Sequence, residues 1–566
     1  MSWFFGYTGV HNPSIENYIG SINNAPGFKV IGSKNIKLIF NENDDNILYD
    51  LESSGKGIVI SGMPVYDQKL LDISEIRNIS WPNGKATDGH FAAVRFDEHS
   101  IELFNDPLGL RDIYTKREGE NIIFSTRIDI IIKYSGTHEI NLKELSTLWL
   151  LPHQISWGTL IKGIEKLGPG GKLVIKNNDV NFRRVDWHPD FTTRTNTNDF
   201  YSNLHEAVTL PFRYGCNLNL GLSGGIDSRV LLQILLSSRY KNWGTHTFGD
   251  ESLPDGFIAK KISDEMGLKH YFLKNSEPEL NSLFENYSLQ LGLSASVSEM
   301  INYPFYSFLK DEGYTVIDGA YGEIFRRAYL NRFLFTGREA LLNKDVSKIF
   351  SLLTKEKAGI FNTDVNIKLT EFAKENVNQI LNELDSPADI GAENWLDMFF
   401  IKTKVANVSG PSQALLDTIS FSYMPLIQPS VLSSGFSLNP SEKKNESFFK
   451  SIIKNGNNNL SSYPLVKDNI YYPFGLNMFS SRVLQKIKKR LGFVYKNKTK
   501  YRILLGLRNY AQDRLNSQDV RSFDMYDIKK IDALIRGYYE GGKIELSAQV
   551  EWWITFEIWR ESISKG

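Results

Sequence analysis

Cysteine is nearly absent. Cys216 is the only one in 566 residues, which excludes an intramolecular disulfide and any multi-cysteine metal site and suits a reducing compartment. Net charge is absent as well: 65 Lys and Arg balance 65 Asp and Glu, so no global field draws the chain to nucleic acid. No apolar run approaches the length that spans a bilayer, and the opening MSWFFGYTGV lacks the basic-then-apolar order of an export signal. These absences point to the cytoplasm. What is present, 41% hydrophobic and 23% charged residues, is the mix of a packed globular chain. Its length calls for two domains, with a helical extension, rather than one core. Monomer and homodimer are both open.

Residues 1–185 alternate short strands and turns, among them IKLIF, GIVISGMPVY, HFAAVRFD, SIELFND, NIIFST and GKLVIK. The texture changes at Asp199. The apolar strand LNLGL runs into the helix VLLQILLSS, followed by strand WGTHTF, helix FIAKKISDEM and strand YTVIDG; this alternation predicts a doubly wound parallel sheet. Between the two textures, residues 186–199 carry Pro189 and a Thr/Asn cluster and read as a linker. Beyond about residue 325 the periodicity is helical and ends in EWWITFEIWRESI, a buried terminal helix by its composition. The fold class expected is therefore α/β plus α+β, with domains at 1–185 and 200–566.

The strongest chemical signal is LGLSGGIDSRVLLQIL, where a strand passes through Ser223, Gly224, Gly225, Ile226, Asp227 and Ser228 directly into a helix. Adjacent glycines let backbone N–H groups approach anionic oxygens, the two serine hydroxyls add donors, and the helix N-terminus adds positive potential. A carboxylate among phosphates makes sense if Mg²⁺ lies between them, so Asp227 is the candidate metal ligand. No Lys follows, unlike the loop that grips a transferred γ-phosphate. An ordinary glycine turn with a serine cap would account for SGG alone, but not for the whole string in this context.

The SGGIDS loop resembles that of the ATP-pyrophosphatase superfamily, and THTFGDESLPDGFIAKKISDEM resembles its asparagine synthetase branch. That resemblance implies that ATP is cleaved to AMP and pyrophosphate while a carboxylate is adenylated, with Mg²⁺ as the ion. It places Phe248 and Gly249 beside the adenine and Asp255 at the mouth of the site. In VIDGAYGEIFRRAY it puts Gly319 at the first glycine of a Gly-rich turn and Glu323 at a second metal-binding carboxylate. Ala320 and Tyr321 depart from the family there, and an acid paired with Arg326 or Arg327 is the alternative for Glu323. In SEKKNESFFKSIIKNG the family's lysine and arginine positions fall on Glu446 and Lys450, so Lys450 is the carried-over catalytic cation.

The N-terminal half resembles the same family's N-terminal-nucleophile (Ntn) glutaminase domain through DGHFAAVRFD, LFNDPLGLRDIY, IIFSTR and TLIKGIEKLGPGGKLVI. Glutamine-using members place Cys directly after Met, where it attacks the glutamine amide. This chain has Ser2 there, Met63 at the glutamine-binding acid, and no counterpart of the family's Arg-Gly-Pro-Asp segment. Hence the expectation is a retained structural domain without glutamine hydrolysis, as in the lasso-peptide cyclases and β-lactam synthetases that it resembles.

The function implied is an ATP-dependent, amide-forming ligase that joins a small-molecule or peptide carboxylate to ammonia or an amine. A nucleotide-binding, non-catalytic relative and an RNA-modifying enzyme of the same loop class are the alternatives. Finally, residues 482–502 hold nine Lys/Arg and no acid. They read either as a solvated amphipathic helix or as a surface for an anionic partner.

Overall fold

The computed structural model describes all residues except 1, 24–26, 33–35, 45, 67, 73–74, 76–86, 177–178, 186, 275–279, 327–329, 493–497 and 566. Arg327, Phe493 and Tyr495 thus lie outside the described residues. The fold is mixed α/β, with antiparallel sheets in the N-terminal part and a parallel sheet in the rest.

Two antiparallel sheets face each other at the N-terminus. One has the strand order Glu165–Lys166, Tyr114–Glu118, Asn121–Ser125, Phe4–Thr8, Ile36–Asn41, Phe28–Gly32. The other runs Asp179–Arg184, Gly171–Lys176, Ser100–Asn105, Thr87–Phe96, Gly57–Tyr66, Ile47–Leu51. Side chains alternate faces along a strand, and the first strand shows the result. Phe4 joins Leu38, Phe40, Val59, Val94 and Leu103 between the sheets. Phe5 and Tyr7 point the other way, into a core shared with Ile131, Leu148, Trp149 and Trp553. The β-rich reading of this half omitted helices Pro13–Asn23, Ile128–Ser135 and Leu142–Leu150. They supply the outer cover of the first sheet.

The parallel sheet has the order His270–Leu273, Trp243–Phe248, Asn217–Gly221, Tyr314–Ile317, Ser422–Tyr423, with every neighbouring pair parallel. In chain order this is 3-2-1-4-5. Connections reverse direction between the strand ending at Gly221 and the one ending at Ile317, and open α/β sheets bind ligands outside the carboxyl ends of the strands at such a point. Both motif-bearing turns leave the sheet there.

The stretch read as a linker is largely exposed but held at two points. Trp187 is buried and its carbonyl accepts Lys402 Nζ at 2.7 Å, while Thr195 Oγ1 donates to the Ser434 carbonyl at 3.0 Å. The C-terminal helix Ser547–Lys565 is buried along most of its length. Trp553 and Trp559 are fully enclosed, and Glu557 accepts Arg514 at 2.7 Å and Arg560 at 3.0 Å. No helix among the described residues is long and apolar enough to cross a membrane.

Candidate active site

After strand Asn217–Gly221 the chain turns through Leu222–Gly225 and enters helix Ile226–Ser237. Two hydroxyls close the turn. Ser223 Oγ accepts from Gly225 N at 3.1 Å and lies 3.1 Å from Ser228 Oγ, which in turn accepts from Ser223 N at 3.2 Å. Gly224 N donates to Asp255 Oδ1 at 2.9 Å, so the amide best placed for an anion already holds a carboxylate. That carboxylate belongs to the first turn of helix Pro254–Glu265. Gly224 is glycine because Val466 packs directly on it: a Cβ would overlap the Val466 side chain. Val466 N also donates to the Gly224 carbonyl at 2.9 Å.

Arg229, which the sequence reading passed over, ties this covering segment down. Fully buried, it donates to the carbonyls of Tyr463 and Pro464, each at 2.9 Å, and of Leu460 and Gly224, each at 3.3 Å. Charge-assisted bonds to several carbonyls fix a loop more firmly than neutral ones.

Asp227 faces a second turn, Asp318–Gly322. A Cβ at Gly322 would overlap the Asp227 carboxyl carbon, and one at Gly319 would sit 2.7 Å from Ser228 N, so both positions need glycine for close approach. Asp227 Oδ2 accepts Arg326 at 2.6 Å. Its Oδ1 is buried with no hydrogen-bond partner. Burial pushes this carboxyl up to about 6, opposed by the Arg326 charge and reinforced by Glu323 and Glu446. Burial likewise raises Asp318, which accepts Ala320 N at 2.8 Å.

Glu323 stands in the short helix Gly322–Phe325 and accepts Lys404 Nζ at 3.4 Å; its cationic partner is thus Lys404 rather than Arg326. Lys404 comes from a π-helical stretch, Ile401–Ser409, a rare geometry that recurs at functional sites. Its ammonium lies 5.3 Å from the Tyr321 ring and 4.6 Å from that of Phe400. Tyr321 has left-handed backbone (φ 72°) and hydrogen-bonds Ser409 of the same stretch.

Lys450 does not meet Asp227 directly. Its ammonium donates to the Leu476 carbonyl at 2.6 Å and pairs with Glu446 at 3.3 Å; Glu446 in turn accepts Arg326 at 3.1 Å. The result is a chain of charges, Asp227–Arg326–Glu446–Lys450. Lys467, on strand Leu465–Lys467, joins this group from the covering segment. Burial lowers its pKa, and neighbouring Arg326 and Arg482 lower it further against Glu446. Phe248 closes its strand within an aromatic cluster, 5.3 Å from His246 and 5.6 Å from Tyr306, and Gly249 follows at φ 96°.

No group of three or more His, Cys, Asp or Glu placed to hold a metal occurs among the described residues. The orphaned Asp227 Oδ1 nevertheless fits an Mg²⁺ held by one carboxylate and phosphate oxygens, the ion's usual nucleotide mode. Lys404 and Lys467 were missed in the sequence because they converge from separate segments, while Arg326, weighed there as a partner of Glu323, pairs with Asp227 and Glu446 instead.

At the N-terminus Ser2 is wholly buried. Its Oγ lies 2.9 Å from Ser61 Oγ and donates to the Asn46 carbonyl at 3.2 Å. The Arg111 guanidinium donates to the Ser2 carbonyl, to Ser61 Oγ at 2.7 Å and to Asp417 Oδ2 at 2.8 Å. Arg111 and Asp417 side chains are both 0% exposed. His90 and Gln413 complete the cluster around Asp417, at 3.2 and 2.7 Å. Met63 is buried in the core that continues into the parallel sheet.

No family model matches the chain, and no curated protein does. Among solved structures it is similar to an allosteric regulatory enzyme of purine biosynthesis, at 9% identity and TM-score 0.23, over 39% of this chain and 60% of that one. It is also similar to glutamine phosphoribosylpyrophosphate amidotransferase from B. subtilis complexed with ADP and GMP, at 10% identity and TM-score 0.22, over 56% of this chain and 81% of that one.

Proposed function

We propose that the chain is an ATP-dependent amide-forming ligase of the asparagine synthetase kind, with an Ntn-like N-terminal domain that hydrolyses no glutamine. The observation that carries this reading is the SGGIDS turn at the reversal point of a parallel sheet, with Arg326 on its Asp227, Lys404 on the neighbouring Glu323 and Lys467 close to Arg326 and Glu446. A carboxylate oxygen of the substrate attacks the α-phosphorus of ATP, the α–β bridging bond breaks, and pyrophosphate leaves. Ammonia or an amine then attacks the acyl carbon, AMP departs with the bonding pair, and the amine loses a proton.

Ser223, Gly224, Gly225 and Ser228 would cradle the pyrophosphate once Asp255 yields the Gly224 amide. Asp227 would hold Mg²⁺, with Glu323 as the second carboxylate in reach. Bound there, the ion neutralises charge on the phosphate oxygens. Phe248 and Gly249 would border the adenine, and Gly319 lets the second turn close over the phosphates. Lys450 would act through Glu446, keeping that acid from competing for Arg326, while Lys467 would meet phosphate from the covering segment.

The test is product analysis with ATP, Mg²⁺ and a fractionated host extract as the source of acyl substrate. AMP and pyrophosphate in equal amounts are expected, with no glutamate from added glutamine and no change in Ser2→Ala. ADP as the main product contradicts the reading, as does glutamate formed in step with AMP and lost in Ser2→Ala. One observation favours a non-catalytic nucleotide-binding relative: Arg326 and Asp255 already occupy the carboxylate and the amide that a substrate needs. ATP binding without AMP release in every fraction would establish that alternative.

A pH dependence follows from Asp227. Its folded-state carboxyl ionises near 6 rather than at the ordinary 3.8, and only the ionised form binds a cation. Mg²⁺ affinity in the presence of a non-hydrolysable ATP analogue is therefore expected to fall as the pH drops through that value. At about pH 5 it should be roughly tenfold weaker than at about pH 7.5, after subtraction of the Asp227→Asn variant, which corrects for protonation of the nucleotide. Equal affinity at the two pH values would contradict the assignment.

A further inference from the structure

Helix Met478–Arg490 is capped by Asn477, whose Oδ1 accepts Ser480 N at 2.8 Å. One face is anchored: Ser481 and Gln485 are buried, and Lys488 donates to the Tyr471 carbonyl at 2.8 Å. The opposite face is unusual. Val483, Ile487 and the following Leu491 recur every four residues, the spacing of one helix face, and are 42, 49 and 66% exposed. Exposed Arg482, Lys486 and Arg490 flank them, while Lys489 pairs with Asp468 at 3.5 Å. A single exposed apolar residue needs no explanation, but a row of three set among cations does.

We propose that this face docks in the plane of an anionic lipid bilayer. The apolar row would enter the acyl boundary and the Lys and Arg side chains would meet headgroup phosphates, the pattern of an interfacial amphipathic helix. A soluble polyanion would use the cations and leave the apolar row in water. A peptide would need a groove, whereas these side chains stand out from the surface. The face is complementary in charge to an anionic surface, since Arg482, Lys486 and Arg490 are exposed on a helix that carries no acid. The association is peripheral and independent of the ligase reading.

Cosedimentation of the full chain with vesicles tests it, comparing phosphatidylglycerol/phosphatidylcholine mixtures with phosphatidylcholine alone. Binding is expected only to the anionic vesicles, weakened about fivefold for each cation removed in Lys486→Gln/Arg490→Gln. In Ile487→Ser/Leu491→Ser it is expected to weaken about tenfold or more. Circular dichroism confirms folding of each variant; should either variant unfold, the wild type in 0.1 and about 1 M salt replaces it, with loss at high salt expected. No preference for anionic vesicles overturns the proposal. So does binding that the Ile487→Ser/Leu491→Ser variant retains in full, because that result marks a soluble-polyanion surface.

Discussion

Asp227→Asn is expected to lower AMP formation by about a thousandfold or more, because a carboxylate that places a divalent ion contributes several kcal/mol to a phosphoryl-transfer transition state. The fold should survive. Asn has the same shape, its amide oxygen can keep the 2.6 Å bond from Arg326, and its NH₂ falls where Oδ1 has no partner. The thermal midpoint should accordingly stay within a few degrees of the wild type while activity disappears. The measurement is AMP release by chromatography beside a melting curve. A variant with more than about a tenth of wild-type turnover, an order of magnitude being about 1.4 kcal/mol, would remove Asp227 from the chemistry.

The second large effect is one of stability. Arg111→Met removes the guanidinium from Asp417 and leaves it only His90 and Gln413 in a site with 0% side-chain exposure. Breaking a buried pair from one side costs about 3–5 kcal/mol. It also removes the donors to the Ser2 carbonyl and Ser61 Oγ, so the N-terminal strand should loosen. Arg111→Met/Asp417→Leu should recover much of the loss, since a well-packed apolar pair often matches a buried ion pair. Urea unfolding of the two single variants and the double variant forms a cycle with an expected coupling of about 0.5–3 kcal/mol. Single variants that each cost under about 1 kcal/mol would show that the pair is solvated in solution.

What the sequence made legible was contiguous. The SGGIDS string carries its strand, turn, hydroxyls and helix start within a few residues, so its geometry could be read without tertiary contacts. The alternation that sends Phe4 and Phe5 to opposite sides of a sheet is local too. The cations' partners were hidden because each cation approaches from a different segment. Arg326 was legible as a cation of the second turn but not as the partner of Asp227; Lys404 projects from a π-helical stretch that no 3.6-residue period anticipates, and Lys467 lies on a hairpin strand covering the loop. Aligned spacing led instead to Lys450, which the structure places one carboxylate away, on Glu446. The helix Pro13–Asn23 was legible locally in its Asn-Pro start, but the alternation of strands around it drew the reading of this half to sheet alone.

The π-helical stretch Ile401–Ser409 bears on tolerance to insertion and deletion. It serves two partners at once: Lys404 reaches Glu323 and stands over Tyr321, while Asn407 donates to the carbonyls of Gln154 and Ser156 at 3.0 and 3.1 Å. A π turn holds more residues than an α turn. Removing one residue would let a π turn close as an α turn, so the helices on either side could keep their phase while the relative placement of Lys404 and Asn407 changes. Loss of a single codon between Lys404 and Asn407 should therefore leave the flanking helices folded while uncoupling these two contacts from one another.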